Sequence, residues 1–407
     1  MKLKQIRVDG YKNLIDCKVD LGDFNVLVGP NNSGKSNLLE AIQMLFLFCF
    51  GSEETRKLAF KGFPTRRFGT SICHLREYEN RSLSIGVTFE MNINNEVWLV
   101  DYDFSVQREY QNEDEAKFLT ENLRAKQPSK TGVSKTYISR DSTKLKIRSK
   151  KERNIAKNIS SLLAIKSIYP DFEGLPFING IADISLTDVF AISPEGLRNS
   201  MGEKTSFEGF RVSSFDLLLA IDEIYEDKEK YEIFRQSVCD ILDLDDLKFV
   251  VKDISTSSKG EKKKEAIERA RFCFIKREGD EYAHIEEYSD GTLAIVAILS
   301  ALFSKHYTGP ILCVEELENC LHPAAVEKLL RFLQDHSDKW PVLVTTHSPY
   351  LLNGVNPEDV NVAVVDKMGA AHFEKVKNTK QLRDYLNRNL MSFGELLVTD
   401  FQGFREG

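Results

Sequence analysis

Leu83, Ile85, Val87, Phe89, Met91 and Ile93 alternate with more polar neighbours, and Trp98, Val100, Tyr102, Phe104 and Val106 do the same. Period two sustained over such lengths predicts half-buried antiparallel strands. Phe24 to Val28, Ile311 to Val314 and Pro341 to Thr346 are instead continuous apolar runs, as fully buried strands are, and Val360 to Val365 and His372 to Val376 can add further strands. Helical spacing of apolar residues runs from Asn37 to Phe48, Ile155 to about Ile168, Phe215 to Leu244, Leu293 to Phe303 and Gln381 to Asn389. After Tyr110 the alternation breaks. An acidic turn at Glu113-Asp114-Glu115 leads into a polar segment with little apolar periodicity until Ile155.

Chemistry gathers where the apolar runs end. Gly29-Pro30-Asn31-Asn32-Ser33-Gly34-Lys35-Ser36 lies between the first buried strand and the first helix. Glycines let a backbone wrap a phosphate chain, and the N–H groups of the loop and of the helix start point at anionic oxygens. The spacing is that of a P-loop, so Gly29 to Asn37 are expected to cradle ATP, with Lys35 on the β and γ phosphates and the Ser36 hydroxyl on Mg²⁺. The alternative, a Gly/Asn/Ser turn that contains a lysine, is opposed by the strand-to-helix context.

Ile311-Leu312-Cys313-Val314-Glu315-Glu316 reads as a buried strand ending in two carboxylates. As a Walker B element it would give Glu315 to Mg²⁺ and Glu316 to general-base activation of water; otherwise it is a strand running into a solvated acidic turn. His347 follows another strand, and there it can donate to the γ-phosphate and hold the catalytic water, since ligands of parallel α/β sheets collect beyond the strand ends. A structural histidine is the alternative. In Tyr288-Ser289-Asp290-Gly291-Thr292 the Ser289 hydroxyl and Gly291 N–H at a helix start form an anion site, although the same pattern serves as an ordinary turn and N-cap.

The bulk properties bound these readings. At 407 residues and 42% hydrophobic content the chain can bury a large core in two or more units. A net charge of −7 argues against indiscriminate adhesion to nucleic acid or membranes. The seven cysteines (17, 49, 73, 239, 273, 313 and 320) show no zinc spacing and predict buried, reduced thiols. Met44 to Phe50 and Leu293 to Phe303 fall short of the ~18 apolar residues that a membrane span needs. A soluble cytoplasmic protein without membrane insertion is expected.

The order of these elements resembles the ABC-type ATPase heads of the RecF, SMC and OLD group. The resemblance rests on Gly29 to Ser36, Ser289 to Thr292, Ile311 to Glu316, Glu318 to Pro323 and Thr346 to Pro349. Glu315 to Pro323 and Thr345 to Pro349 are similar to the stand-alone AAA family ATPases of bacterial defence operons, as are the opening Ile6 to Leu14 and the ending Met391 to Leu396. The resemblance implies an α/β fold, an ABC-type ATPase head with a mixed sheet carrying the P-loop and an antiparallel β lobe, interrupted by a mainly helical insertion or lid. Residues 1–110 would be the N-terminal part of the head, 111–275 the inserted basic and helical region, and 276–407 the C-terminal part. It implies as well that Ser289 and Gly291 contact the γ-phosphate of ATP held by a second copy, giving an ATP-dependent homodimer. Three departures stand out: Glu315 where aspartate is usual, Tyr288 where leucine is usual, and Thr292 in place of glutamine. Neither Gln43 nor Gln107 has convincing spacing for the glutamine loop.

Between Arg124 and Lys157 twelve basic residues face only Asp141 and Glu152. That is a solvated surface, or a dock for DNA, RNA or an acidic partner that acts through phosphate contact. Ile192 to Arg198 reads as a turn and Lys259 to Arg271 as an exposed loop or helix face. The residues after His347 leave no room for a Toprim nuclease, so the effector, a nuclease or toxin, would be a separate protein. The leading expectation is an ATP-hydrolysing dimer that gates such an effector in anti-phage defence or DNA repair. A weakly hydrolysing scaffold that holds a toxin or nuclease, and a RecF-like DNA-binding repair ATPase, are the alternatives.

Overall fold

The computed structural model describes residues 1–51, 56, 81–109, 115–128, 133–182, 189–191, 217–256, 266–304, 310–319 and 321–401. Lys130, Cys73, Cys320, the expected turns at 113–114 and 192–198, and the charged residues 259–265 lie outside them. The chain divides into two units, Met1–Phe190 with Thr308–Leu317 and Phe332–Gly407, and Ala191–Tyr307 with Glu318–Arg331.

The first unit holds two sheets. Strands β1 (Lys2–Asp9), β2 (Cys17–Asp20), β4 (Leu83–Ile93), β5 (Glu96–Glu109), β6 (Glu115–Lys126), β7 (Lys135–Asp141), β8 (Lys144–Ile147) and β9 (Arg153–Asn154) form an antiparallel sheet in the order β2-β1-β4-β5-β6-β7-β8-β9. The period-two residues of β4 and β5 face inward as their spacing demands: Leu83, Ile85, Val87, Phe89, Val100, Tyr102 and Phe104 are buried. Asn94 and Asn95 both take positive φ, which closes the two-residue turn between these strands with the twist they need.

The sheet runs past Tyr110, where the sequence suggested that the strands stop. Phe118, Leu123, Ala125, Ile138, Leu145 and Ile147 are buried on its inner face. Two register shifts, opposite Ser105/Val106 and at Leu123/Arg124, break the alternation that would have disclosed these strands. The described residues between 115 and 154 are therefore organised around strands β6 to β9.

One buried ion pair ties this extension to the following chain. Glu121 and Arg140 have no exposed side-chain area and meet at 2.6 Å. The guanidinium also donates to the carbonyls of Ser142, Ala156 and Ile159. The carboxylate accepts from the Tyr102 hydroxyl, the Ser160 and Ser161 hydroxyls and the Ser161 N–H, at the N-terminus of α2 (Ser161–Ile168). A negative charge there also suits the helix dipole. The next helix is α3 (Leu175–Ala182).

The second sheet has the order β10-β14-β15-β3-β16-β17, comprising β10 (Val189–Ala191), β14 (Leu312–Glu315), β15 (Val342–Thr346), β3 (Phe24–Val28), β16 (Val360–Val365) and β17 (Ala371–Lys375). Strands β14, β15, β3 and β16 are parallel, and β17 returns antiparallel to β16. Helix α1 (Lys35–Phe50) follows β3.

In the second unit, α4 (Leu217–Tyr225) and α5 (Lys228–Leu242) match the predicted helical stretch, but Asp246–Thr256 and Ala266–Lys276 form an antiparallel hairpin, β11 and β12, joined by β13 (Ala283–His284). The part of the expected charged loop or helix face that is described is thus strand. Helix α6 (Asp290–Phe303) is buried from Gly291 onward, with Phe303 against Phe234 of α5. Helix α7 (Pro323–Asp335) starts in this unit and ends in the first; α8 (Pro349–Asn353), α9 (Lys380–Asn389) and α10 (Phe393–Glu395) belong to the first. Among the described residues no helix is long and apolar enough to cross a membrane. Cys17, Cys49, Cys239, Cys273 and Cys313 are free thiols, and burial pushes those of Cys17, Cys273 and Cys313 up to about 12, which keeps them protonated and inert.

Removing one partner of the Glu121–Arg140 pair strands a buried charge. Arg140→Ala is expected to lower stability by about 3–5 kcal/mol in urea unfolding, whereas Lys144→Ala, on an exposed side chain of the same segment, should stay within about 0.5 kcal/mol.

Candidate functional site

The loops after β3, β14 and β15 carry the P-loop, the Glu315-Glu316 pair and His347, so three parallel strands deliver the predicted chemistry to one end of one sheet. Ligands of such sheets bind beyond these carboxyl ends. A cleft of about 780 Å³ opens there, and Asn31 to Asn37, Glu316 and His347 line it.

Gly29 and Gly34 explain why the loop can sit where it does. Gly29 (φ 152°) lies so near β16 that a Cβ would stand 2.8 Å from the Ala363 carbonyl oxygen; at Gly34 (φ 93°) it would stand 2.8 Å from the Ala371 Cβ and 3.0 Å from Asn13 Oδ1. Neither the space nor the left-handed backbone admits another residue without strain. Gly34 caps α1, so the first turn of that helix faces the cleft. Lys35 is buried, and its ammonium donates to the carbonyls of Gly29 (2.8 Å) and Pro30 (2.9 Å).

The Ser36 hydroxyl donates to Glu315 Oε1, so the longer carboxylate at this position does reach the P-loop serine. Glu316 is half-buried and takes a left-handed conformation (φ 51°), with its N–H donating to Thr345 Oγ1 at 2.9 Å. Leu317 N–H donates to the Thr345 carbonyl. Thr345 thus holds both sides of the turn that aims Glu316 into the cleft. His347 is half-buried, and next to it the Ser348 N–H donates to Thr346 Oγ1 at 3.0 Å.

Asn13 and Lys12 also line the cleft and were visible in the sequence only as part of the opening motif. Asn13 donates to the Asn32 carbonyl, accepts from Asn37 Nδ2 at 2.7 Å, and gives its own carbonyl to Ala371 N–H. Lys12, at φ 51°, forms a buried ion pair with Glu40 of α1, to which the Tyr11 hydroxyl also donates. Burial first, and the Glu40 charge second, raise the Tyr11 phenol far above its ordinary value, so it remains a donor. Gln43 is buried within α1 and Gln107 is exposed on β5; neither lines the cleft.

Ser289 and Gly291 lie in the second unit. Ser289 is exposed and caps α6, its Oγ accepting from Thr292 N–H at 3.3 Å and lying 3.0 Å from Thr292 Oγ1; Gly291 is buried in the first turn. The cleft residues suit a nucleotide with magnesium: side-chain-free approaches along the loop, two lysines, and a hydroxyl beside a carboxylate as the hard oxygen donors that magnesium takes.

Short segments of the chain match the DNA replication and repair protein RecF. The match to that of Vibrio campbellii is 44% identical over 46 residues, and to that of Lactococcus lactis subsp. cremoris 46% over 48 residues, 11% and 12% of this chain. The matched stretch spans 13% of the length of these curated relatives. Among solved structures, an SMC head bound to the C-winged helix domain of ScpA aligns over 93% of this chain and 99% of its own, at 12% identity and a TM-score of 0.52. The SMC head domain from Thermotoga maritima covers 93% of this chain and 100% of its own, at 14% identity and a TM-score of 0.45. The likeness to the ScpA-bound head is one of fold, an ABC-type ATPase head. Residues 24–353, from the first residue of β3 to the last of α8, match the family described as "AAA domain, putative AbiEii toxin, Type IV TA system", and the chain belongs to that family, an ABC-type ATPase of the RecF and SMC group.

Proposed function

We propose that the chain binds ATP with Mg²⁺ in this cleft, hydrolyses it, and uses the cycle to close and open a homodimer that gates a separate effector, a nuclease or toxin, in anti-phage defence or DNA repair. The observation that carries the reading is the convergence of Lys35, Ser36, Glu315, Glu316 and His347 at the carboxyl ends of β3, β14 and β15. The family description, with its toxin and Type IV TA system, supports the defence setting.

Each residue has a task that its surroundings permit. Lys35 exchanges two carbonyl partners for the β and γ oxygens, which costs little because it is never left without acceptors. Glu316 takes the proton of the attacking water, and His347 donates to the γ-phosphate and fixes that water. Magnesium, held by Ser36 and Glu315, would neutralise charge on the phosphates as they separate. The exposed Ser289 hydroxyl and Gly291 N–H would contact the γ-phosphate held by a second copy, so hydrolysis removes the group that both copies grip.

A second reading has an observation of its own. Of the basic residues between 124 and 157, Arg140 is buried against Glu121 and Arg124 pairs with Asp101 and Asp103, so neither is available to a partner. Lys144, Lys150, Lys151 and Arg153 are exposed at the β8–β9 edge of the large sheet, with Lys150 and Arg153 over the Tyr169 ring; Lys146 and Arg148 beside them are exposed as well but pair with Glu152 (3.5 Å) and Glu173 (2.8 Å). A row of cations on a sheet edge suits the phosphates of DNA, bound without sequence readout.

Two measurements test these readings. Lys35→Ala should lose ATP binding, and Glu316→Gln should bind ATP, turn it over about 10²–10⁴-fold more slowly and accumulate as a closed dimer in sizing experiments; parent-like turnover by both would defeat the assignments. For the basic edge, glutamine at Lys144, Lys146, Lys150 and Lys151 should weaken duplex DNA binding and flatten its dependence on log salt by about 0.9 for each phosphate that is no longer neutralised. Unchanged binding would remove this edge from the function.

A further inference from the structure

Met391 to Leu396, singled out in the sequence, has no part in the cleft, yet it is fastened to the helix that follows His347. We propose that Gly394 is a positioning residue that holds His347 through α8, an inference that rests on the ATPase reading of the site.

Helix α8 begins two residues after His347 and spans one turn, Pro349–Asn353, too short to be stable by itself. Gly394 meets both of its ends. Its N–H donates to Asn353 Oδ1 at 2.8 Å, at the last residue of α8. Its Cα lies against the first residue: a Cβ there would stand 2.0 Å from the Pro349 carbonyl oxygen, 2.7 Å from its carbonyl carbon and 2.8 Å from its Cα. Those are backbone atoms, with no side-chain end to swing aside, so any residue but glycine must push α8 away.

The turn that carries Gly394 is itself fixed. Ser392 Oγ accepts from Glu395 N–H at 3.2 Å and Glu395 Oε2 from Ser392 N–H at 2.8 Å, a reciprocal capping box. Leu396 and Leu397 are buried just beyond it. On the other side, Thr346 is buried at the end of β15 and its hydroxyl holds Ser348 N–H. His347 is therefore strung between a rigid strand and a one-turn helix, and only the helix can move. A shift of α8 is taken up at His347 and Ser348, which moves the imidazole relative to Lys35 and Glu316.

The test is Gly394→Ala, with Asn353→Ala as a milder variant that deletes only the acceptor of the Gly394 N–H. In protein labelled at histidine ¹³Cε1, the His347 signal, identified by its loss in His347→Ala, should shift in both variants while the remaining imidazole signals stay in place. With ATP, Gly394→Ala should lower kcat by about 10- to 100-fold and leave KM within about twofold. In a His347→Ala background it should cost no more than about twofold further. An unmoved His347 signal, or a loss that multiplies in full on the His347→Ala background, would overturn the clasp. A parent protein without turnover would instead refute the ATPase reading, and the imidazole signal would still decide whether Gly394 positions His347.

Discussion

The loop after β3 can sit where it does because two of its residues bring no side chain. Gly29 presses on Ala363 of β16, and Gly34 presses on Ala371 of β17 and the Asn13 amide, each at distances that a Cβ would violate. The loop is wedged between the β16–β17 hairpin and the turn that carries Lys12 and Asn13, and left-handed backbone at both glycines lets it curl there. That wedge sets the direction in which α1 starts, and the start of α1 sets where Ser36 meets Glu315. Loosening the fit at either glycine would misplace the serine hydroxyl and the loop N–H groups together.

Around this fixed seat the polar groups are kept satisfied in ways that leave them responsive. Lys35 rests on two carbonyls of its own loop, so its burial leaves the ammonium with acceptors. Glu315 rests on Ser36, and the turn bearing Glu316 rests on Thr345. Each of these hydrogen bonds is worth about 0.5–3 kcal/mol net, and a phosphate or metal ion can displace it. The Glu121–Arg140 assembly is the opposite case: every lobe of charge has several partners and none faces a cleft, so it braces the large sheet and α2.

The elements that could be read from the chain were those whose pattern is local. The P-loop, the two carboxylates, His347 and the strands of β4 and β5 announce themselves by spacing, by period two or by punctuation. Strands β6 to β9 did not, because one bulge shifts the inward parity of β6 between Phe118 and Thr120 and a second shifts that of β7 between Thr136 and Ile138. Arg140 and Lys144 are alike in a charge count, yet one is sealed beside Glu121 and the other is solvated; only the partner strand tells them apart. The tasks of Asn13, Thr345 and Gly394, though all three lie in stretches singled out in the sequence, escaped for a related reason. Their partners lie far away in the chain, and no residue-type signature marks the pairing.

The same remoteness constrains how the site can form. The Asn25 side chain donates to the carbonyl of Val342, 317 positions away, and β3 gains its parallel neighbours only from residues 342–346 and 360–362. The P-loop therefore has no wedge until both ends of this long excursion have met. Loop-closure entropy rises only with the logarithm of loop length, so the intervening residues add little to that cost provided they satisfy their own backbone. The second unit does so with helices α4 to α6 and the β11–β12 hairpin. Non-local parallel pairing of this kind is slow to form, and a site built entirely upon it is absent from partly folded chains. For the nucleotide binding proposed above, this coupling means that only a fully folded head can serve.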